Sequence, residues 1–418
     1  MNVYKISGRI GQGAHGIVMK AINVKTNREV ALKRINYRRP SELVPMHVFR
    51  EILCLKLVDH HFVVELLDVF THSLGCVLVF DFMPSGLAEM IQDDEFELGE
   101  AEIKSYMLML LSGISHIHSM HIMHRDLKPA NLLIDKYGIL KIADFGLGRL
   151  YHHNQTVVYS HQVATRWYRA PELLYSARHY DKGVDLWAVG CIFAEMLTRT
   201  PLFPGENDIE QLALVLYTLG TPTETTWPGL SSLPDYNKIV FPESPGIPFP
   251  ELLPDSDFEI VDLISQFLCY DSSKRPTAIE AMHNAYFFKK PTPCPLCNMP
   301  KPKADHRRQL ANKPSFLNVD SSMEEIFQDL NELISYELSS SSSQSSDLSD
   351  DSSSSSCSLP TMTRHSYIRR LLRKKIKKGC FKTQSLDSLS DKSKEKRSKL
   401  SRSLSFLCFA SCATSRLH

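Results

Sequence analysis

Apolar and polar residues alternate along positions 3–36 around a glycine-rich turn, with the period of half-buried β-strands. Further strand patterns lie at residues 29–35 and 77–82, and residues 46–57 between them carry apolar side chains at helical spacing. We therefore predict a small antiparallel β-sheet with one helix over residues 1 to about 83.

Near Glu100 the pattern changes to long helical stripes. Residues 101–120 carry an apolar stripe, and residues 184–197 are almost wholly apolar, which is typical of a helix at the centre of a lobe. Shorter helical patterns follow at 260–268 and 278–285. These patterns predict a larger, mostly α-helical lobe over about 84–288, and so an α+β, two-lobed domain over residues 1–288.

Composition shifts sharply after this domain. Residues 289–302 are rich in proline, 339–358 consist mostly of serine, and 364–382 are basic, so these segments offer little apolar surface for a core. We predict that residues 289–418 are a largely disordered tail. One amphipathic helix is expected at 322–338, where Ser322 and Glu325 fit a capping box.

The net charge of +1 over 418 residues hides two opposite parts. Residues 289–418 carry 23 Lys and Arg against 13 Asp and Glu, whereas residues 1–288 carry 25 against 34. This asymmetry predicts that the basic tail either contacts an anionic partner or folds back on its own acidic domain. The sequence has no run of 18 apolar residues and no signal-peptide pattern, so we expect no integral membrane segment and an intracellular location.

Two motifs in the predicted sheet are typical of phosphate binding. The first, Gly11-Gln12-Gly13-Ala14-His15-Gly16-Ile17-Val18, has glycines where backbone amides can approach a phosphate, and a strand rather than a helix follows it. The second, Val30-Ala31-Leu32-Lys33, ends a strand on an ammonium group that Glu51 on the next helix can pair with. Taken alone, the first motif also fits an ordinary glycine-rich hairpin. The second, taken alone, also fits a lysine at a strand end that faces water.

The segment His124-Arg125-Asp126-Leu127-Lys128-Pro129-Ala130-Asn131, followed by Asp144-Phe145-Gly146, gives every polar position a role in phosphoryl transfer. Asp126 is predicted to accept the proton of a Ser or Thr hydroxyl, and Lys128 to neutralise charge on the transferred group. Asn131 and Asp144 supply the hard oxygen ligands that Mg²⁺ prefers. The sequence thus predicts a protein kinase active site that uses ATP and Mg²⁺.

Two buried polar contacts are expected to support this site. We predict that Glu172, in Ala170-Pro171-Glu172, forms an ion pair with Arg275. We also predict that Asp185, at the start of the central helix, binds the backbone of the catalytic segment.

Residues 1–288 resemble a complete eukaryotic protein kinase domain, and Val163-Ala164-Thr165-Arg166-Trp167-Tyr168-Arg169 is similar to the group of cyclin-dependent and mitogen-activated kinases. Ser160-His161-Gln162 and Phe80-Asp81-Phe82-Met83 resemble the cell-cycle-related branch of the cyclin-dependent kinases. The resemblance implies catalytic roles for Asp126, Lys128, Lys33, Glu51 and Thr165. It implies that ATP contacts Ile10, Gly11, Gln12, Gly13, Ala14, His15, Gly16, Ile17, Val18, Ala31, Lys33, Phe80, Asp81, Met83, Lys128, Asn131 and Asp144.

The resemblance also implies a mode of regulation and a substrate class. Ser160 is the expected site of activating phosphorylation by an upstream kinase, and its phosphate is expected to bind three arginines, Arg50, Arg125 and Arg149. Protein substrates with Ser-Pro or Thr-Pro are expected, because Arg169 shapes a pocket that tolerates a residue without an N–H. Residues 45–51 match the usual cyclin-contacting helix poorly, so a cyclin and a non-cyclin activator are both open.

Two other functions fit parts of the sequence. A pseudokinase scaffold would act through partner binding, although every catalytic position is filled. A mitogen-activated-kinase-like enzyme would share most motifs, although the Thr-x-Tyr signature is missing, since Thr156 and Tyr159 are three positions apart. The resemblance further implies a role in cell-cycle or cilium-linked signalling, in the nucleus and cytoplasm.

Overall fold

The computed structural model describes residues 2–13, 16–36, 46–72, 75–93, 95, 98–151, 158–302 and 315–318. Within these residues the chain forms a β-rich amino-terminal lobe and a mainly helical carboxy-terminal lobe, which confirms the predicted α+β, two-lobed architecture. Ala14, His15, the predicted helix at 322–338 and the serine-rich and basic parts of the tail lie outside the described residues.

The amino-terminal lobe is built on one antiparallel sheet. Its strands are β1 (Asn2–Gly13), β2 (Gly16–Asn23), β3 (Glu29–Asn36), β4 (Leu66–Thr71), β5 (Gly75–Asp81) and β11 (Ser315–Asn318), in the order β11-β1-β2-β3-β5-β4. Buried side chains on one face form its core, where the rings of Tyr4 and Phe70 stack 5.5 Å apart. The predicted single helix is α1 (Met46–Leu57), which contacts β4.

The carboxy-terminal lobe contains most of the described helices. They are α2 (Leu87–Gln92), α3 (Glu100–Ser119), α4 (Pro171–Leu174), α5 (Gly183–Thr198), α6 (Asp208–Leu219), α7 (Phe249–Leu252), α8 (Phe258–Phe267) and α9 (Ala278–Met282). Short strands carry the site: β6 (Ser85–Gly86), β7 (Ile122–Met123), β8 (Leu132–Ile134), β9 (Leu140–Ile142) and β10 (Arg149–Leu150). No helix in the described ranges is long and apolar enough to cross a membrane.

Helix α5 lies at the centre of this lobe, as its continuous apolar sequence predicts. Trp187 is fully buried and stacks on Phe203 with ring centroids 6.0 Å apart. A side chain at Gly190 would place its Cβ 2.7 Å from the Cβ of Phe267, so glycine allows α5 and α8 to pack closely. This buried helix is the frame on which the catalytic residues are held.

Residues 289–302 continue from the last helix and pack on α3. The fully buried Lys104 of α3 donates hydrogen bonds to the carbonyl oxygens of Lys289 and Pro291 at 3.0 and 2.8 Å. Met299, further along the segment, is buried as well. The predicted domain boundary assigns this segment to the tail, but its hydrogen bonds with Lys104 join it to the helical lobe.

The predicted ion pair between Glu172 and Arg275 is confirmed. The two guanidinium nitrogens donate to the two carboxylate oxygens at 2.7 and 2.8 Å, and the Arg275 side chain also donates to the backbone carbonyl of Gly183 at 2.8 Å. Arg275 lies over the ring of Trp187, 5.2 Å from its centroid. The pair therefore ties Glu172, at the end of the activation segment that begins at Asp144, to α5 and to the residues that precede α9.

We expect Arg275→Met to destabilise the domain by about 3–5 kcal/mol, because it leaves the Glu172 carboxylate buried without its partner. The double variant with Glu172→Met should be clearly less destabilised, since it removes both charges. Thermal unfolding of the wild type and of the single and double variants gives the comparison. Equal destabilisation of the single and double variants would show that lost packing, and not a stranded charge, sets the cost.

Candidate active site

A cleft lies between the two lobes. Nine of the residues predicted to contact ATP line it: Ile10, Val18, Ala31, Lys33, Phe80, Asp81, Met83, Asn131 and Asp144. Five further lining residues are Glu51, predicted as a catalytic residue, and Val64, Ala130, Leu133 and Ala143, which the sequence analysis missed. Of these four residues only Leu133 lies in a strand, β8, whereas Ala130 and Ala143 adjoin the predicted Asn131 and Asp144, and that adjacency is the signal that could have found them.

Some predicted nucleotide contacts lie outside this lining. Gly11, Gly16 and Ile17 are in the β1–β2 hairpin, and Lys128 lies beside Asp126 instead. Gly16 has φ +127°, and a Cβ there would lie 2.2 Å from the carbonyl oxygen of Arg34. The hairpin therefore requires glycine at this position, independently of any role in phosphate binding.

Lys33 lies between two carboxylates at the back of the cleft. Its Nζ is 2.5 Å from Glu51 Oε1 and 2.7 Å from Asp144 Oδ1, so the predicted pairing with Glu51 is confirmed. Burial alone would lower the pKa of Lys33, but the charges of Glu51 and Asp144 outweigh it and raise the pKa above its usual range. The ammonium group is thus held charged where a bound phosphate would meet it.

Asp126 is buried and is held through both carboxylate oxygens. Oδ1 accepts hydrogen bonds from the backbone N–H and the hydroxyl of Thr165, both at 2.9 Å. Oδ2 accepts from Lys128 Nζ at 2.8 Å and from Asn131 Nδ2 at 3.0 Å, and Lys128 Nζ also donates to the Thr165 hydroxyl at 2.7 Å. Four predicted site residues therefore meet here, and Thr165 joins the activation segment to the catalytic segment.

Asp185 binds the backbone of the catalytic segment, as predicted. The N–H groups of His124 and Arg125 donate to its carboxylate at 2.9 and 2.8 Å, and His118 Nε2 lies 2.9 Å from it. Burial would raise the pKa of Asp185, but the hydrogen bond and the charge of His118, together with His124 and the N–H of Arg125, hold it below its usual range. The bonds also offset the strain of Arg125, whose φ is +63°.

Arg125 connects the catalytic segment to Ser160. Its Nε donates to the carbonyl of Leu147 at 2.9 Å, and its Nη1 donates to the Tyr180 hydroxyl at 2.8 Å. Tyr180 in turn donates to the backbone carbonyl of Ser160 at 2.6 Å. Sequence reasoning missed Tyr180, because nothing in its local sequence marks a contact with residues 20 and 55 positions away.

The charges of the three arginines expected to bind a phosphate all act on one side chain, Cys54 of α1. Burial and then the charge of Glu51 raise the pKa of this thiol to about 12, and Arg125, Arg50 and Arg149 act in the opposite direction. Three positive charges from α1, the catalytic segment and the activation segment thus lie within electrostatic range of a single side chain.

Arg169 is bonded to the backbone beside Asp126. Its Nε and Nη2 donate to the carbonyls of Val163 and Ala164 at 2.8 and 3.0 Å, and Ala164 has φ +64°. Its Nη1 donates to Asp208, which also binds Arg166 at 2.8 Å. Burial opposes ionisation of Asp208, but its bonds to the two arginines hold its pKa below the usual range.

The protein kinase domain profile matches residues 4–287 of the chain. The chain therefore belongs to the protein kinases, and the relatives below place it among the serine/threonine kinases of the cyclin-dependent kinase type.

Cyclin-dependent kinase 20 of Danio rerio is 51% identical to the chain over 344 residues, which cover 82% of this chain and 100% of that protein. Cyclin-dependent kinase 20 of Homo sapiens is 52% identical over 304 residues, 72% of this chain and 88% of that protein. Cyclin-dependent kinase 7 of Xenopus laevis is 44% identical over 296 residues, 70% of this chain and 83% of that protein. The family implies use of ATP and Mg²⁺.

Proposed function

We propose that this kinase transfers the γ-phosphoryl group of ATP to Ser or Thr hydroxyls that precede proline, with Asp126 as the general base. The observation that carries the proposal is the fixed orientation of Asp126, whose two oxygens accept four hydrogen bonds from three residues. A buried carboxylate held in this way can take the proton of a substrate hydroxyl without first reorganising. Lys128, 2.8 Å away, would offset the charge that develops on the transferred group.

The residues of the cleft fit Mg²⁺-ATP. Its apolar walls suit a planar base, and Lys33, Asn131 and Asp144 bring one cation and two oxygen-bearing side chains to its inner end. Mg²⁺ binds proteins through one or two such ligands and takes the rest from phosphate and water. When bound, Mg²⁺-ATP would supply the phosphoryl group and a cation to neutralise it, and Lys33 would orient the phosphates.

We expect Asp126→Asn to lower kcat by about a thousandfold, because an amide cannot accept the hydroxyl proton. The dissociation constant for ATP should change little, since Asp126 lies outside the nucleotide cleft. Transfer to a Ser-Pro peptide and nucleotide titration would be measured in parallel. Asp255→Asn, an equivalent change at an exposed carboxylate, is the control. Wild-type turnover in Asp126→Asn would refute the assigned base.

The preference for proline rests on the carbonyls of Val163 and Ala164. Both already accept hydrogen bonds from Arg169, so neither is readily available to the N–H of the substrate residue that follows the hydroxyl. An ordinary residue would bury an N–H without a partner, at a cost of about 1–3 kcal/mol. Proline has no N–H and avoids this cost.

We therefore expect kcat/KM for a Ser-Pro peptide to exceed that for the matched Ser-Ala peptide by about tenfold to a hundredfold. Arg169→Ala should reduce this ratio, because it releases both carbonyls. Arg166→Ala is the control, since Arg166 binds the same Asp208 but neither carbonyl. An unchanged ratio in Arg169→Ala, or an equal loss in Arg166→Ala, would contradict the explanation.

Phosphorylation of Ser160 by an upstream kinase is proposed to activate the enzyme. Ser160 is exposed, its backbone is linked to Arg125 through Tyr180, and Arg50, Arg125 and Arg149 all act electrostatically on Cys54 of α1. A phosphate dianion there would form charge-assisted hydrogen bonds with guanidinium groups from separate elements. Such bonds would fix the position of Glu51 on α1, and hence of Lys33, relative to Asp126.

Phosphatase treatment of the phosphorylated kinase should lower kcat/KM by about tenfold or more, because the bonds to the phosphate are lost. Ser160→Ala should start at this low activity and should not respond to phosphatase. Thr156→Ala, in the same activation segment, should respond as the wild type does. Mass spectrometry would follow occupancy at Ser160. A wild-type response in Ser160→Ala would exclude the site.

We also propose an activator, a partner of the tail and a cellular role for this kinase. The activator is a cyclin or a non-cyclin protein, and the basic part of the tail contacts an anionic partner. The kinase acts in the nucleus and cytoplasm, in cell-cycle or cilium-linked signalling. They are supported by the likeness to cyclin-dependent kinases and by the charge of the tail.

A further inference from the structure

The outer edge of β1 is paired with a segment far along the chain. Residues Ser315–Asn318 form β11, which runs antiparallel to β1 with Ile6 opposite Ser315, Lys5 opposite Phe316 and Tyr4 opposite Leu317. Residues 2–287 alone would leave β1 at the edge of the sheet, since its inner side is paired with β2. An open edge of this length offers a row of unpaired N–H and C=O groups to any strand that can reach it.

The inner face of β1 is fixed in the lobe. Tyr4 is buried, stacks on Phe70 and donates a hydrogen bond from its hydroxyl to Asp68 at 3.3 Å. Ile6 is buried beside it. The strand therefore presents its outer edge in one register, which is what specific strand addition requires.

Residues 289–302, which come earlier in the chain, are anchored on the helical lobe. Lys104 holds the backbone of Lys289 and Pro291, and Ser105 Oγ donates to the carbonyl of Cys294 at 2.8 Å. At the far end of this anchor, a Cβ on Gly138 would meet the carbonyl oxygen of Pro300 at 2.6 Å, so the β8–β9 turn fits closely against it. Residues 289–302 and residues 315–318 thus contact opposite lobes.

Two independent observations agree with an intramolecular role. The tail is basic and residues 1–288 are acidic, so their charges attract. The match to cyclin-dependent kinase 20 of Danio rerio covers 344 residues of this chain and so must extend past residue 318 wherever it begins. The aligned region therefore includes residues 315–318.

We propose that residues 289–302 and 315–318 are two parts of an intramolecular strap, the first anchored on the helical lobe at Lys104 and the second donated to the outer edge of β1 as an additional strand. The strand that occupies the outer edge of β1 therefore comes from the same chain and is bound through backbone hydrogen bonds. Because β1 continues into Gly11 and Gly13, the strap stabilises the strand that carries the glycine-rich hairpin over the nucleotide cleft. The strap depends on neither the catalytic base nor the phosphorylation proposed above.

The register is tested by an engineered disulfide in the full-length chain. Residues directly opposite across an antiparallel pair have Cβ atoms about 4.5–5.5 Å apart, close to what a disulfide needs. Lys5→Cys with Phe316→Cys should therefore cross-link under mild oxidation, and peptide mass spectrometry should identify the new bond. Lys238→Cys with Phe316→Cys pairs the same thiol with an exposed site on the helical lobe and should not cross-link. Equal cross-linking in both variants, or none in the first, would overturn the register.

The energetic contribution is tested by hydrogen exchange. Phe316→Pro with Leu317→Pro removes two donors and breaks the added strand, so amides of residues 2–6 should exchange at least about tenfold faster. Exchange in β4 and β5 should be unchanged, which shows that the lobe is still folded. Ser340→Pro with Ser341→Pro, further along the tail, should leave all three regions as in the wild type. Unchanged exchange at residues 2–6 in the first variant would refute the strap.

Discussion

The buried carboxylate of Asp185 is the constraint on which the catalytic machinery depends. A charge removed from water must be compensated, and here the compensation comes from the backbone of His124 and Arg125 and from the ring of His118. These bonds hold Arg125 in a left-handed conformation that an unsupported chain would rarely adopt. The Arg125 side chain is thereby directed to Leu147 and Tyr180. One carboxylate in the central helix therefore determines the backbone conformation of the catalytic segment and, through Arg125, its contacts with the activation segment.

The other buried charges differ in what they do. Glu172 and Arg275 satisfy each other and are not among the residues that line the cleft, so their pair supports the architecture by holding the activation segment. Lys33 is shared by Glu51 and Asp144, which come from different elements. Any movement of α1 or of the Asp144 segment changes that cluster, which makes it sensitive to the state of the enzyme. The same type of interaction therefore supports the fold in one place and joins residues that line the nucleotide cleft in the other.

The sequence predicted the two lobes, the single amino-terminal helix and the contacts of Asp185, Glu172 and Lys33. These predictions succeeded because the spacing of apolar residues in a strand or helix is visible within a short stretch of sequence. They also succeeded because short motifs combine charged residues whose chemical roles are well defined. Tyr180 and the bonding of Asp208 to two arginines were missed. Each depends on residues about 20 to 55 positions apart that only the folded chain brings together. Neither the local spacing of apolar residues nor the local composition predicts contacts between residues so far apart in the sequence.

The segment after the helical lobe shows a different limit of sequence reasoning. Its composition predicts disorder because too little apolar surface is available to offset the entropy of ordering. A segment needs such apolar surface only where it must build its own core. Residues 289–302 instead supply two carbonyl acceptors to a buried cation, Lys104, which also pairs with Glu100 at 2.9 Å, so ordering the segment helps to compensate a buried charge in the lobe. Strand pairing at β1 likewise uses the backbone, which every residue other than proline supplies in full. A polar segment can therefore be ordered wherever the rest of the protein presents unsatisfied groups to it.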